Sequence, residues 1–341
     1  MEQLALRLTD VNVPEATDGA PPWESPEWLA EADAWISASC DAAGLARTGP
    51  GEIRGRMYSV VVRVPVEGGC VWFKEGAPRA GFEAAVADAL TRWSPHDAPP
   101  VIAVDRERHW VLMHNVGERL DGLLKRDPDI RNVHTPLRRY ARLQRKLVAH
   151  VDDLLELGVP DARPEHIEEL LDGILTRAPK GLLGDEVLRH VAAMRPELRA
   201  WAAELAALGV PSTIDHADLH PGNILGTSTD ARPFDWGDSV IGSPFCSLLV
   251  ILRATPDFCG FEYDDPGVMA LRDVYLEPWL TQDGRSAADV ERAADLALRL
   301  SPILRAHAWT RMFPCYLRAP KPWNSTEFWL GAIGCDDPLM I

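Results

Sequence analysis

The sequence predicts an α+β fold in two lobes, a small β-rich one followed by a larger, mainly helical one. Three observations carry this. Before about residue 120, short runs of β-branched and aromatic residues alternate with Gly and Pro. After it, long Ala- and Leu-rich stretches repeat with helical period. A polar segment with two short apolar runs, TIDHADLHPGNILG and RPFDWGDSVIGSP, interrupts that helical half. The boundaries drawn on this texture are 1–47 for an N-terminal extension holding one helix, 48–117 for the β-rich lobe and 118–341 for the helical lobe.

In chain order, SPEWLAEADAWISASC reads as a helix opened by Ser25, with Pro26 in its first turn. SVVVRVPV (Ser59 to Val66) and CVWFK (Cys70 to Lys74) flank a glycine turn and read as a hairpin. FEAAVADALTRW carries an apolar helical stripe at Phe82, Val86, Leu90 and Trp93. PPVIAV and HWVLMHNV then read as two further strands. From His134 three helical stretches follow, each stopped near Gly or Pro, and beyond Ser247 the chain is again mostly helical.

Composition narrows the function classes. The 341 residues are 46% hydrophobic and 25% charged, with no run of eighteen apolar residues, which describes a soluble globular chain with no membrane partner. MEQLALRLTD lacks the basic-then-apolar pattern of a secretory signal, so a cytoplasmic address is expected. A formal net charge of −16 disfavours a nucleic-acid partner; it would attract cationic ligands, or simply maintain solubility. The six cysteines form no C-x-x-C pair, which argues against a zinc ribbon or a disulfide framework and for small buried apolar residues.

The chemistry concentrates in DHADLHPGNIL (Asp215 to Leu225) and FDWGD (Phe234 to Asp238). His216, Asp218 and His220 alternate, and in an extended segment they would point the same way as metal ligands of a hydrolase. Such a site needs further ligands, and no second histidine cluster exists: His109, His114, His134 and His150 are isolated. The other reading needs only oxygen. Asn223 and Asp235 supply a neutral and an anionic oxygen suited to magnesium, which completes its shell with phosphates and water. Asp218 is then left to accept a hydrogen bond from a substrate hydroxyl, and the set becomes a phosphoryl-transfer site.

HADLHPGN followed by FDWGD resembles the catalytic and metal-binding loops of the aminoglycoside phosphotransferase and choline kinase-like family, small-molecule relatives of the protein kinases. The resemblance implies a protein-kinase-like fold from about residue 48 onward. It gives Asp218 the place of the catalytic aspartate, and Asn223 and Asp235 those of the magnesium ligands. His220 stands where protein kinases carry a lysine, which favours a small-molecule acceptor. His216 takes a structural role in such loops; His220 is left between acceptor and scaffold, and Asp238 between a supporting group and a cap.

A kinase-like first lobe asks for a lysine on its third strand, a glutamate on the next helix and a hinge after two more strands. Lys74, Glu83 and the segment Met113, His114 and Asn115 answer in that order, the last through backbone contacts to a purine. The departures are specific. Gly49, Gly51 and Gly55 do not form G-x-G-x-x-G, so the phosphate-covering loop is only loosely placed. Trp72 replaces a small residue two before the lysine, where it would stack on the base or crowd it. Ser247 stands near the place of the family's aspartate after G-x-P.

The acceptor is expected to be read by the segment after Phe245. Its acids (Glu262, Asp264, Asp265, Asp336, Asp337) suit amino groups, its bases (Arg305, Arg311, Arg318, Lys321) suit anions, and Trp309, Trp323 and Trp329 suit either a pocket or the core. The resemblance thus implies an ATP- and Mg2+-dependent kinase, with GTP as the other candidate nucleotide. It would phosphorylate a small-molecule hydroxyl on an aminoglycoside or other antibiotic, a sugar or an amino alcohol. The alternative from another class is a kinase-fold regulator that binds nucleotide without transfer.

Overall fold

The computed structural model describes residues 7–8, 21–56, 58–178, 180–181, 183–280, 284–312 and 321–335. Cys315, Arg318, Asp336 and Asp337 lie outside the described residues, as do the side chains of Lys321 and Trp323. The chain divides into two compact units, Met1–Val116 with Arg311–Ala319, and Gly117–Thr310 with Pro320–Ile341.

The first unit is a six-stranded sheet with helices packed on it. Its strands are β1 (Arg7–Leu8), β2 (Glu52–Gly55), β3 (Ser59–Val66), β4 (Gly69–Gly76), β5 (Val101–Asp105) and β6 (Trp110–His114), in the order β1-β2-β3-β4-β6-β5. β1 runs parallel to β2, and the other neighbours are antiparallel. Val66 pairs with Gly69 across a two-residue turn, where Gly68 takes φ 82°, a value that favours glycine. Alternation along the strands then sends Val60, Val62, Val64, Val71 and Phe73 to one face.

That face is covered by α1 (Pro26–Ala42), whose buried Trp28, Ala32, Ile36 and Cys40 recur every four residues. Ser25 caps it, its hydroxyl accepting from Trp28 N at 3.1 Å. Trp28, Trp35, Phe73 and Trp110 meet edge to face at 5.5–6.1 Å. In their midst Glu75 Oε2 accepts from the indole N–H of Trp28 (2.7 Å) and of Trp110 (2.5 Å). Burial pushes that carboxyl upward in pKa. Helix α2 (Phe82–Trp93) follows β4, as its apolar stripe predicts.

The second unit is built on helices α3 (Leu120–Arg126), α4 (His134–Leu147), α5 (Val151–Glu156), α6 (Ile167–Arg177), α7 (Asp185–Ala207), α8 (Leu248–Cys259), α9 (Pro266–Leu280), α10 (Ala287–Met312) and α11 (Lys321–Gly331). The first helical stretch of the sequence divides in two: His150 leaves helical geometry (φ −116°, ψ 17°), and its Nδ1 meets Asp153 at the head of α5. The polar segment forms two small antiparallel ladders, β7 (Thr213–Asp215) with β10 (Val240–Gly242), and β8 (Ile224–Gly226) with β9 (Ala231–Pro233). Among the described residues no helix is long and apolar enough to cross a membrane.

Candidate active site

In the first unit Lys74 Nζ lies 2.6 Å from Glu83 Oε1, and both side chains are 9% exposed. β4 and α2 position them. Lys74 lies in register with Val61 and Val111 of the flanking strands. The helix start is set by close approach: a Cβ on Gly81 would lie 2.5 Å from His109 Nδ1, and one on Gly76 3.3 Å from Glu83 Oε2. A buried ion pair of this kind holds the ammonium in one place.

Met113 and His114 end β6, and the His114 N–H already donates to the Pro100 carbonyl at 2.9 Å. Of the three hinge residues, Asn115 is the one whose backbone lies beyond the ladder. Trp72 shares the Lys74 face of β4, and its indole N–H donates to Asn115 Oδ1 at 3.4 Å. Of the three glycines, Gly49 and Gly51 precede β2 while Gly55 ends it beside the turn into β3.

In the second unit the loop between β7 and β8 carries the motif. Asp218 Oδ1 lies 3.1 Å from Arg305 Nη2, and its Oδ2 accepts from Asn223 Nδ2 at 3.2 Å. The same amide nitrogen donates to the Asp218 carbonyl at 3.0 Å. A carboxylate can only accept, so the Asn223 amide is oriented with its nitrogen toward Asp218 and its oxygen turned away. Asn223 heads the β8–β9 hairpin and Asp235 follows it; Phe234 N donates to the Asn223 carbonyl at 3.1 Å and closes that end. Asp235 itself adopts φ 66°, ψ 60°, which Asp tolerates better than most residues.

An amide oxygen and a carboxylate from one end of one hairpin are the hard oxygen donors that magnesium takes, so the residues fit that ion. The three-ligand alternative does not assemble. His216 is fully buried, its Nε2 donates to the Phe234 carbonyl at 2.8 Å, and its ring packs on Trp236 at 4.8 Å. Burial lowers its pKa to about 4, so the ring is a neutral tie between the two loops. His220 Nδ1 accepts from Gly222 N at 3.0 Å, and its Nε2 lies 3.7 Å from Asp218 Oδ2. No group of three or more His, Cys, Asp or Glu among the described residues could hold a metal ion.

Two partners of these loops escaped the sequence. Arg305 of α10 reaches Asp218, the Ala217 carbonyl (2.6 Å) and Asp238 Oδ2 (3.5 Å). The sequence offered it only as one of several cations for an anionic acceptor; the signal for an inward role is its place on the buried stripe of a helix, four residues from Ser301 and eight from Ala297. Asp215 is fully buried beneath the loop, where Ser247 donates to its Oδ1, and burial raises its pKa to about 7.

The family pattern of phosphotransferase enzymes matches residues 55–290. Among solved structures, an ethanolamine kinase from Plasmodium vivax is similar over 92% of this chain and 90% of its own, at 12% identity and TM-score 0.59. A choline kinase from Streptococcus pneumoniae is similar over 89% and 99%, at 12% identity and TM-score 0.56. An aminoglycoside 2'-phosphotransferase bound to GDP is similar over 87% and 96%, at 14% identity and TM-score 0.53. These likenesses show the bilobal kinase-like α+β fold. No curated protein sequence matches the chain. With the family pattern spanning more than two thirds of its residues, the chain belongs to the phosphotransferase enzyme family.

Proposed function

We propose that this chain is an ATP- and magnesium-dependent kinase that transfers the γ-phosphoryl group to a hydroxyl of a small molecule, in the cytoplasm. The observation that carries the proposal is the Asn223 amide, which braces the Asp218 carboxylate with its nitrogen and so turns its oxygen away from that carboxylate. Asp218 accepts the hydrogen bond of the acceptor hydroxyl and takes its proton as the oxygen attacks phosphorus. Asn223 and Asp235 hold magnesium. When bound, the ion offsets charge on the nucleotide phosphates and on the moving phosphoryl group.

Lys74, fixed by Glu83, meets the nucleotide phosphates. The hinge from Met113 to Asn115 takes the base through its backbone. His216 keeps the loops in register. Donors and acceptors fixed before substrate arrives need no rearrangement during transfer, which is where such sites gain most of their rate. The acceptor belongs to the classes read by similar proteins: ethanolamine and choline kinases on one side, aminoglycoside phosphotransferases on the other. GTP is the competing nucleotide, since one of these similar structures carries GDP.

The test is ADP release from magnesium-ATP, with GTP in parallel, across aminoglycosides, amino alcohols, sugars and nucleosides. Asp218→Asn is expected to lower kcat by roughly 10²- to 10⁴-fold while nucleotide affinity, read by calorimetry, stays within about threefold. Unchanged turnover in that variant would remove Asp218 from the mechanism. Nucleotide binding with no transfer to any acceptor would favour the regulator reading.

A further inference from the structure

Arg305 has the appearance of an acceptor-binding cation in the sequence, but its surroundings say otherwise. Its side chain is only 11% exposed, and both terminal nitrogens of its guanidinium are committed within the protein. Nη1 donates to the Ala217 carbonyl at 2.6 Å and lies 3.5 Å from Asp238 Oδ2, while Nη2 lies 3.1 Å from Asp218 Oδ1. One rigid, planar fork therefore touches a main-chain oxygen of the catalytic loop, the carboxylate beside it and the loop that carries Asp235.

Ala217 adopts φ 59°, a conformation costly for a residue with a Cβ, and its carbonyl is the one that Arg305 holds. Asp218 Oδ2 is meanwhile held by the Asn223 amide. With each carboxylate oxygen bound on a different side, rotation about the Asp218 side chain would break a charge-assisted bond, yet each oxygen keeps a lone pair for substrate.

We infer that Arg305 is the positioning residue for Asp218: it fixes the carboxylate orientation that receives the acceptor hydroxyl and ties the catalytic loop to the Asp238 end of the metal loop. The inference rests on the phosphotransfer reading of Asp218. Arg305 does not bind the acceptor, so its loss acts on turnover and not on acceptor affinity.

The experiment is steady-state kinetics of the wild type, Arg305→Lys, Arg305→Met and Asp218→Asn, with magnesium-ATP and ethanolamine, choline or kanamycin as acceptor. Arg305→Met is expected to lower kcat by roughly 10- to 100-fold, the scale of a misplaced reacting group, with KM for both substrates within about threefold. Arg305→Lys keeps the charge but not the fork, and recovers part of the loss. Added guanidinium ion restores part of the Arg305→Met rate, which a merely structural residue would not allow. Thermal unfolding checks that each variant is folded; should the Met variant fail to fold, the Lys variant decides by the same split of kcat from KM. A kcat equal to wild type, or a raised acceptor KM with kcat intact, overturns the inference while leaving the phosphotransfer reading standing. A wild type no faster than Asp218→Asn on every acceptor of the ADP-release screen, these three included, overturns both.

Discussion

Ser247 donates its hydroxyl hydrogen to Asp215 in the interior of the second unit. The bond ends a relay in which the His216 N–H donates to the Tyr140 oxygen (3.0 Å) and the Tyr140 O–H to Ser247 (2.7 Å). Ser247 stands near the place where the sequence resemblance puts an aspartate, and the carboxylate at this contact is Asp215 of β7. The loop between β7 and β8 therefore has a buried acid at its root.

Adjacent residues at that root give opposite pH dependences. Asp215 has its pKa raised from 3.8 to about 7, so the folded state holds a proton that the unfolded state releases; its contribution is fully present below 3.8 and is lost as pH rises to 7. His216 has its pKa lowered from 6.5 to about 4, so its contribution is present above 6.5 and is lost as pH falls to 4. Between pH 4 and 6.5 the two offset each other. Asp215→Asn is expected to steepen the acid-side fall of the thermal midpoint, and His216→Gln the fall toward pH 7. Variant profiles parallel to wild type across pH 4–8 would contradict the assignment.

Breaking the Lys74–Glu83 pair separates binding from folding. Lys74→Met leaves the Glu83 carboxylate buried beside an apolar group, a change that costs about 3–5 kcal/mol of stability. Magnesium-ATP affinity is expected to fall by roughly 10- to 100-fold, the value of one charged hydrogen bond. Glu83→Gln should weaken binding less, because the lysine remains. Calorimetric titration beside denaturant unfolding reads both effects.

Magnesium dependence should report on the hairpin end. Asp235→Asn removes the anionic oxygen and is expected to raise the magnesium concentration for half-maximal ADP release by roughly 10- to 100-fold, the range seen when the support of a metal site is lost. Asn223→Ala removes a neutral oxygen and the brace on Asp218 together, so it should lower kcat as well. Magnesium titrations at fixed nucleotide separate the two patterns.

Gly226 is the position where that hairpin tolerates no side chain. It adopts φ 113°, and a Cβ there would lie 1.9 Å from the Asp230 carbonyl oxygen. Gly226→Ala is expected to cost more than about 1–3 kcal/mol and to lower the thermal midpoint, because the turn must open to admit a methyl group. An unchanged midpoint would mean that the turn is not held as described.

Local patterns carried much of this molecule. The valine-rich strands about Gly68 fixed a register, and FEAAVADALTRW gave a helix with the bounds of α2. The meeting of Asp218 with Asn223 in one loop was legible because the residue types and their spacing are themselves the signal. Long-range choices were not. Arg305 and Arg311 look alike in the sequence, yet one reaches Asp218 and the other lies 5.3 Å from the centre of the Phe82 ring. Which partner a guanidinium takes depends on helix packing, and no local pattern encodes that. The break at His150 and the contact of Ser247 with Asp215 were hidden for the same reason.

The cover of α1 on the sheet sets a practical boundary on the protein. The family pattern begins at residue 55, yet the apolar face of β3 and β4 is closed by Trp23, Trp28, Ala32, Ile36 and Cys40, all upstream of it. A chain beginning at residue 55 would bare Phe73 and Trp110 and strip the two indole donors around Glu75 down to one. Such a fragment should aggregate on expression, whereas one beginning at residue 21 keeps the lid intact. Comparing the soluble yield of the two shortened chains locates the minimal stable enzyme.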